Sequence, residues 1–359
     1  MKIIFDNIIF AIAKSSGVPI VWGNLIKRVQ NDKDFDCHFL EIQGKTNHWV
    51  RKELELGNVE DRNGRPQILR YINPSINEDK PFIFHSSYYR LCNNPNAINI
   101  TTVHDFTYEY YRKGLPRIVH SWQKFNAIRR SDVVVCISEN TKNDVMKFVP
   151  EVNPDRIKVV YNGVSEFYHP VELPKYRDLG RFILFVSGRL SYKRFDIAVD
   201  VAYKTGYKLV MVGSPLSKDE SELLDKRLGR ENYLCFSNID DKTFNELYNS
   251  AFCLVYPSMY EGFGIPVIEA QRAGCPVIAY NGSSIPEVIG DTPLLLSNPS
   301  SYEIISKLRM LDNNDVRNKI IKDGFLNAQR FSWDTMANEY MDIYRNAYNN
   351  FLLRNKCKK

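Results

Sequence analysis

Short, β-branched apolar runs recur along this chain with helical patterns between them, and that alternation constrains the fold most. In the first half the runs are Lys2–Phe5, His38–Ile42, Phe82–His85, Ile98–Val103 and Val133–Ser138. In the second they are Phe182–Ser187, Lys208–Gly213, Phe252–Pro257 and Pro276–Tyr280. Each is apolar almost throughout rather than at every other position, which suits parallel strands covered on both faces. Helical patterns fill the gaps, among them Pro116–Arg130, Glu139–Phe148, Asp196–Lys204 and Ile265–Ala273. Strand, helix, strand repeated in this way predicts two doubly wound α/β domains. The 359 residues are enough for two such cores. The stretch Phe167–Arg181 holds His169, Pro170, Pro174 and Gly180 without periodicity and reads as a linker. The expected domains are therefore 1–168 and 169–334, followed by a helix from Asp334 through about Phe351. Asn47–Asn77 is polar and weakly patterned and reads as a surface excursion.

Composition removes several classes. An apolar share of 44% is ordinary for a globular chain and excludes wholesale disorder. Forty-eight Lys and Arg against 42 Asp and Glu leave a net charge of +6, too small on this length to read as a nucleic-acid footprint. The seven cysteines include no C-x-x-C pair, which points to a reducing compartment. Asp6 and Asn7 interrupt the first apolar stretch, so no signal peptide is expected, and no run is long enough to span a membrane. A cytoplasmic setting is the expectation.

In open α/β sheets ligands bind beyond the carboxyl ends of the strands, so the residues following each strand carry the functional reading. After Phe182–Ser187 comes Gly188-Arg189-Leu190-Ser191-Tyr192-Lys193-Arg194. Three cations between a strand and a helix suit a diphosphate, because guanidinium and ammonium groups would reinforce the helix N-terminus. A solvated basic turn is the alternative. After Phe252–Tyr256 comes Pro257-Ser258-Met259-Tyr260-Glu261-Gly262-Phe263-Gly264-Ile265-Pro266, with Glu269 one turn into the next helix. Its glycines let a ligand approach the backbone, and two carboxylates there would accept hydrogen bonds from sugar hydroxyls. An acidic helix start is the plainer alternative. His104-Asp105 follows Ile98–Val103, where a histidine either donates to a hydroxyl or serves the structure. Ser15-Ser16-Gly17 lies between the first strand and a helix and reads as a ligand loop or a simple turn. No G-x-x-x-x-G-K-[ST], G-x-G-x-x-G or H-E-x-x-H occurs, and the histidines have no metal-ligand spacing, so no metal is expected.

Taken together these segments resemble family 4 glycosyltransferases, a retaining group with the GT-B fold of two Rossmann-like domains facing across a cleft. The resemblance is carried by Glu261-Gly-Phe-Gly-Ile-Pro-Val-Ile-Glu269, which has the family's E-x7-E spacing, and by Pro286-Glu287-Val288. Ser187-Gly-Arg-Leu190 with Tyr192-Lys-Arg194, Val103-His-Asp105, Val160-Tyr-Asn-Gly-Val164 and Phe331-Ser-Trp333 also follow the family in order.

The resemblance implies roles residue by residue. His104, Glu261, Arg189 and Lys193 would act in catalysis. The donor would be held by Gly17, Gly188, Arg189, Lys193, Arg194, Glu261, Gly262, Phe263, Gly264, Ile265 and Glu269. Arg189 and Lys193 would neutralise the diphosphate, Glu269 would accept from the ribose hydroxyls, and Glu261 would contact the transferred sugar. Two departures stand out. Ser16 replaces the first of the usual paired glycines. Lys193 lies four residues beyond Arg189 where five is usual, and Arg194 occupies that fifth place. The implied activity is transfer of a hexose from a nucleoside diphosphate sugar to a saccharide or lipid-linked saccharide, with no cofactor or metal, in bacterial surface polysaccharide or lipopolysaccharide synthesis. A two-lobed binding protein and a sugar-nucleotide epimerase of the same fold are the rivals. The final helix would pack back on the first domain. The tail cations Arg345, Arg354, Lys356, Lys358 and Lys359 would offer a peripheral contact to anionic membrane at the inner face.

Overall fold

The computed structural model describes residues 1–13, 17–46 and 48–356. The chain divides into two compact units, Met1–Gly163 with Trp333–Lys359, and Val164–Ser332.

The first unit is built on seven strands: β1 (Lys2–Asp6), β2 (Asp36–Ile42), β3 (Val59–Arg62), β4 (Phe82–Ser86), β5 (Ala97–Val103), β6 (Val133–Cys136) and β7 (Ile157–Val159). They lie in the order β3-β2-β1-β4-β5-β6-β7, and every pair is parallel. The second unit has six: β8 (Phe182–Val186), β9 (Lys208–Val212), β10 (Tyr233–Phe236), β11 (Cys253–Tyr256), β12 (Val277–Tyr280) and β13 (Leu295–Leu296). Their order is β10-β9-β8-β11-β12-β13, again all parallel. Strand order reverses beside β1 and β4 and beside β8 and β11, the switch points where loops diverge to opposite faces and leave room for a ligand.

The central strands are apolar because helices cover both faces. All of β8 is buried, and Ile183, Phe185, Leu209, Met211, Val255 and Ile278 join one core with Ile197, Ala198 and Val201 of the helix Phe195–Thr205. Truncating such a side chain to alanine costs about 2–5 kcal/mol. Cys136 and Cys253 are buried free thiols within their strands.

Three sequence expectations need correction. The polar excursion contains β3, an edge strand whose Val59, Glu60 and Asp61 are exposed and therefore lack an apolar signature. The domain boundary falls after Gly163, five residues before the expected place. Val164 bridges to Ser332, the Tyr168 ring packs on Tyr248 at 5.8 Å, and the His169 N–H donates to Asn245 Oδ1 at 3.2 Å. These contacts tie the segment to the second unit. The last helix, Trp333–Lys356, starts earlier and runs longer than the pattern suggested. It belongs to the first unit. The Tyr344 hydroxyl pairs with His85 Nδ1 at 2.8 Å, and the Tyr340 hydroxyl with Thr102 at 2.9 Å.

Candidate active site

The second unit gathers its predicted residues at the carboxyl ends of β8 and β11. Leaving β8, the chain passes Gly188 and makes one 3-10 turn, Ser191–Lys193. Arg194 then takes a left-handed conformation at φ 53° and leads into the helix Phe195–Thr205. The turn is fastened to the loop after β11 by the Met259 N–H, which donates to the Tyr192 carbonyl at 2.8 Å. A second link is ionic: Lys193 Nζ donates to both oxygens of Glu261, at 2.6 and 2.7 Å. The side chains are only 14% and 11% exposed. The buried Tyr256 hydroxyl also bonds Glu261.

The loop itself is cross-braced. The Glu261 N–H donates to Ser283 Oγ at 2.9 Å, while Ser284 Oγ donates to the carbonyls of Glu261 and Phe263, both at 3.0 Å. The Phe263 ring is buried edge-on against Phe331 at 5.6 Å. Gly264 caps the helix Ile265–Arg272 at φ 98°. That left-handed φ favours glycine, and a Cβ there would also sit 2.7 Å from Ile285 Cδ1 and push its terminal methyl aside. Gly264 and Ile265 thus occupy the N-cap and first helical positions, whose N–H groups have no acceptor inside a helix and favour anions.

Glu269, one turn on, is partly buried and accepts from the Tyr248 hydroxyl at 2.9 Å. Burial pushes its carboxyl up to about 7; the Tyr248 and Tyr168 hydroxyls counter that, while Asp241 adds to it. Arg189 is turned outward from this group. Its Nε and Nη2 reach the two oxygens of Glu220 at 2.7 and 3.2 Å, and Nη2 also donates to the Pro215 carbonyl at 2.8 Å. Glu220 is drawn down to about 2, chiefly by its hydrogen bond from Arg189. Beside this pair a cavity of about 1250 Å³ runs between the helices Phe195–Thr205 and Lys218–Leu228. Arg189 and Arg194 line that cavity, but Lys193, Glu261 and Glu269 do not. Arg194 forms an exposed fork with Asp196, both contacts at 3.1 Å. Of the two cations left open by the sequence, Lys193 is therefore the one placed with Glu261.

His104 and Gly17 belong to the first unit. His104 follows β5 and is partly buried. Burial lowers its pKa to about 4, with Lys124 adding to the effect and Asp105 opposing it, so the ring is neutral at pH 7. Its loop is fixed by Lys124, whose Nζ donates to the Asp105 carbonyl and to Glu109 Oε2, each at 2.8 Å. Gly17 is exposed at the start of the helix Gly17–Val29. Ser16 lies outside the described residues, as do Lys358 and Lys359.

Comparison with known proteins decides the family. The model for glycosyl transferases group 1 matches residues 174–326, and that for glycosyltransferase family 4 matches residues 49–166. The chain belongs to the family 4, group 1 glycosyltransferases. Among curated relatives, O-antigen chain mannosyltransferase B of Escherichia coli is 25% identical over 76% of each chain. Among solved structures, sucrose-phosphate synthase of Thermosynechococcus elongatus superposes with a TM-score of 0.78 at 17% identity, over 98% of this chain and 100% of that one. HepE of Anabaena, solved with UDP-glucose, gives 0.72 at 15%, over 96% and 100%. The fold of this glycosyltransferase is GT-B.

Reading the glycosyltransferase from sequence missed Glu220, Tyr168, Tyr248 and Ser283. Each bonds a motif residue from a distant position, the nearest being Tyr248, 21 positions before Glu269. The one local signal was Ser217-x-x-Glu220, a capping box in which Glu220 also accepts from the Ser217 N–H at 2.8 Å.

Proposed function

We propose that this glycosyltransferase moves a hexose from a nucleoside diphosphate sugar to a saccharide or lipid-linked saccharide hydroxyl, with retention at the anomeric carbon and without a metal. The observation that carries the reading is the Lys193–Glu261 pair beside the Gly264 helix start. An ammonium, a carboxylate and free helix-terminal N–H positions there match a phosphate joined to a sugar. As the sugar–oxygen bond breaks, the departing diphosphate gains negative charge. Lys193 and the amides at Gly264 and Ile265 stabilise that charge more in the transition state than in the ground state. Arg189 joins them by exchanging Glu220 for a phosphate oxygen, a swap of one anionic partner for another. Glu261 then hydrogen-bonds the transferred sugar, and ionised Glu269 accepts from the ribose hydroxyls. Neutral His104 donates to a sugar hydroxyl. Retention follows if the acceptor attacks from the face that the diphosphate leaves, with a phosphate oxygen taking its proton. The pathway is surface polysaccharide assembly, a reading supported by the O-antigen mannosyltransferase among the relatives.

The test is a panel of nucleoside diphosphate hexoses with released nucleoside diphosphate as readout, run with and without a chelator. One donor should turn over in both conditions, and proton NMR of the product should give the donor's anomeric configuration. Inversion, or a requirement for added metal, would overturn those parts of the mechanism. No turnover of any donor would leave a binding protein.

A further inference from the structure

The helix Leu115–Arg130 is inside out. Its buried positions carry His120, Ser121, Gln123 and Lys124 along with Ala127 and Ile128. Its outer positions carry Leu115 at 70%, Ile118 at 64% and Trp122 at 65% exposure. Spaced three and four apart, these three share one face. Folding by itself would turn such side chains inward, and monomeric surfaces keep large apolar patches small. Cations flank the patch at its start: Arg117 is exposed in the first turn, and Arg112 and Lys113 are exposed just before the N-cap Gly114. No acidic residue occurs between Tyr110 and Arg130, and the nearest, Glu109, is buried against Lys124. An apolar face that includes tryptophan, flanked by unopposed cations, is the arrangement that seats a helix in the headgroup layer of an anionic bilayer.

We infer that Leu115, Ile118 and Trp122, with Arg112, Lys113 and Arg117, form a docking surface for a membrane rich in anionic lipid. This moves the membrane contact away from the C-terminal tail. Arg345 is engaged inside the first unit, donating to Asp32 at 2.8 Å and Asp34 at 3.1 Å. Among the described residues no helix is long and apolar enough to cross a membrane, so the contact is one of lying on the surface. The inference extends the lipid-linked acceptor reading, because a docked enzyme meets such an acceptor in the plane of the bilayer.

Co-sedimentation of the full chain with vesicles tests it, comparing phosphatidylcholine alone with a mixture containing phosphatidylglycerol. The protein should pellet with the anionic vesicles and stay in solution with the neutral ones. Replacing Arg112, Lys113 and Arg117 together by Gln should weaken binding roughly a hundredfold, at about fivefold per cation. Ile118→Ser with Trp122→Ser should weaken it at least tenfold. Arg354→Gln with Lys356→Gln should do much less. Circular dichroism and melting temperature check that each variant folds; if the apolar pair does not, the Gln triple decides alone. Wild-type protein that ignores anionic vesicles would overturn the proposal. So would variants that bind like wild type, or a dimer that the apolar substitutions dissociate with no effect of lipid. Donor turnover, followed on the same variants, should hold at the wild-type rate. Its absence from every protein would break the proposed function and leave the vesicle result standing.

Discussion

Each unit has a lysine–glutamate pair beside a strand end, and the two pairs do opposite work. Lys124 and Glu109 are 0% and 1% exposed, and the ammonium braces the His104 loop through the Asp105 carbonyl. Lys193 and Glu261 are 14% and 11% exposed and join two loops at the mouth of the second sheet. The first pair is locked by burial, since separating its charges would strand one of them away from water. The second, under the proposed function, trades partners with an incoming phosphate and sugar. Arg189–Glu220 follows the second pattern, with Glu220 33% exposed. What separates the two lysine–glutamate pairs is access, for the chemical groups are the same.

The comparison can be broken most forcefully at Lys124. Lys124→Ala should lower unfolding stability by about 3–5 kcal/mol, read by denaturant or thermal melting, because Glu109 is left charged and buried. A loss below 1 kcal/mol would erase the distinction. Next is Lys193→Ala, which should cut turnover about 10²–10³-fold while moving the melting temperature less than Lys124→Ala does. Arg189→Ala should behave similarly. A third test sharpens the role of Glu269. Its folded pKa of about 7 lies above the ordinary carboxylate value, so the folded state holds a proton that the unfolded state has lost. Stability from this group is therefore full below about pH 4.5 and falls as pH rises through 7, by on the order of 1 kcal/mol or more. Glu269→Gln should flatten that slope in the melting temperature. In the wild type, nucleoside diphosphate affinity should rise over the same interval as the carboxylate becomes an acceptor. The smallest effect is expected at Arg194, whose pair with Asp196 is exposed. Arg194→Ala should change stability by less than about 1 kcal/mol and leave turnover near wild type. A collapse of turnover instead would transfer the diphosphate role from Lys193 to Arg194.

Both sheets were legible because their central strands must be apolar on two faces, as Phe182–Val186 and Phe82–Ser86 are. The strands that escaped notice are those with least to bury: polar β3 and three-residue β7 at the edges of the first sheet, and half-buried β10 and two-residue β13 at the edges of the second. Among site residues, the motif spacing pointed to Lys193, Glu261 and Glu269 because each sits on a loop or helix start set by its own strand. The partners that tune them are contributed by other elements, as Tyr248 is to Glu269 and Glu220 to Arg189. The helix Leu115–Arg130 was legible as a helix and not as an inverted one. Periodicity places the apolar stripe but is silent on which side faces the core.

The helix Trp333–Lys356 gives the first unit a delayed closure. Its hydroxyls at Tyr340 and Tyr344 are the partners of Thr102 and His85 in the buried sheet. During synthesis these two sheet residues therefore wait through the making of the whole second unit, an interval of roughly ten seconds or more at ribosomal speed. The half translated first is completed last. A nascent chain arrested anywhere in the second unit carries an unfinished sheet, and release of the final turns is the event that seals it.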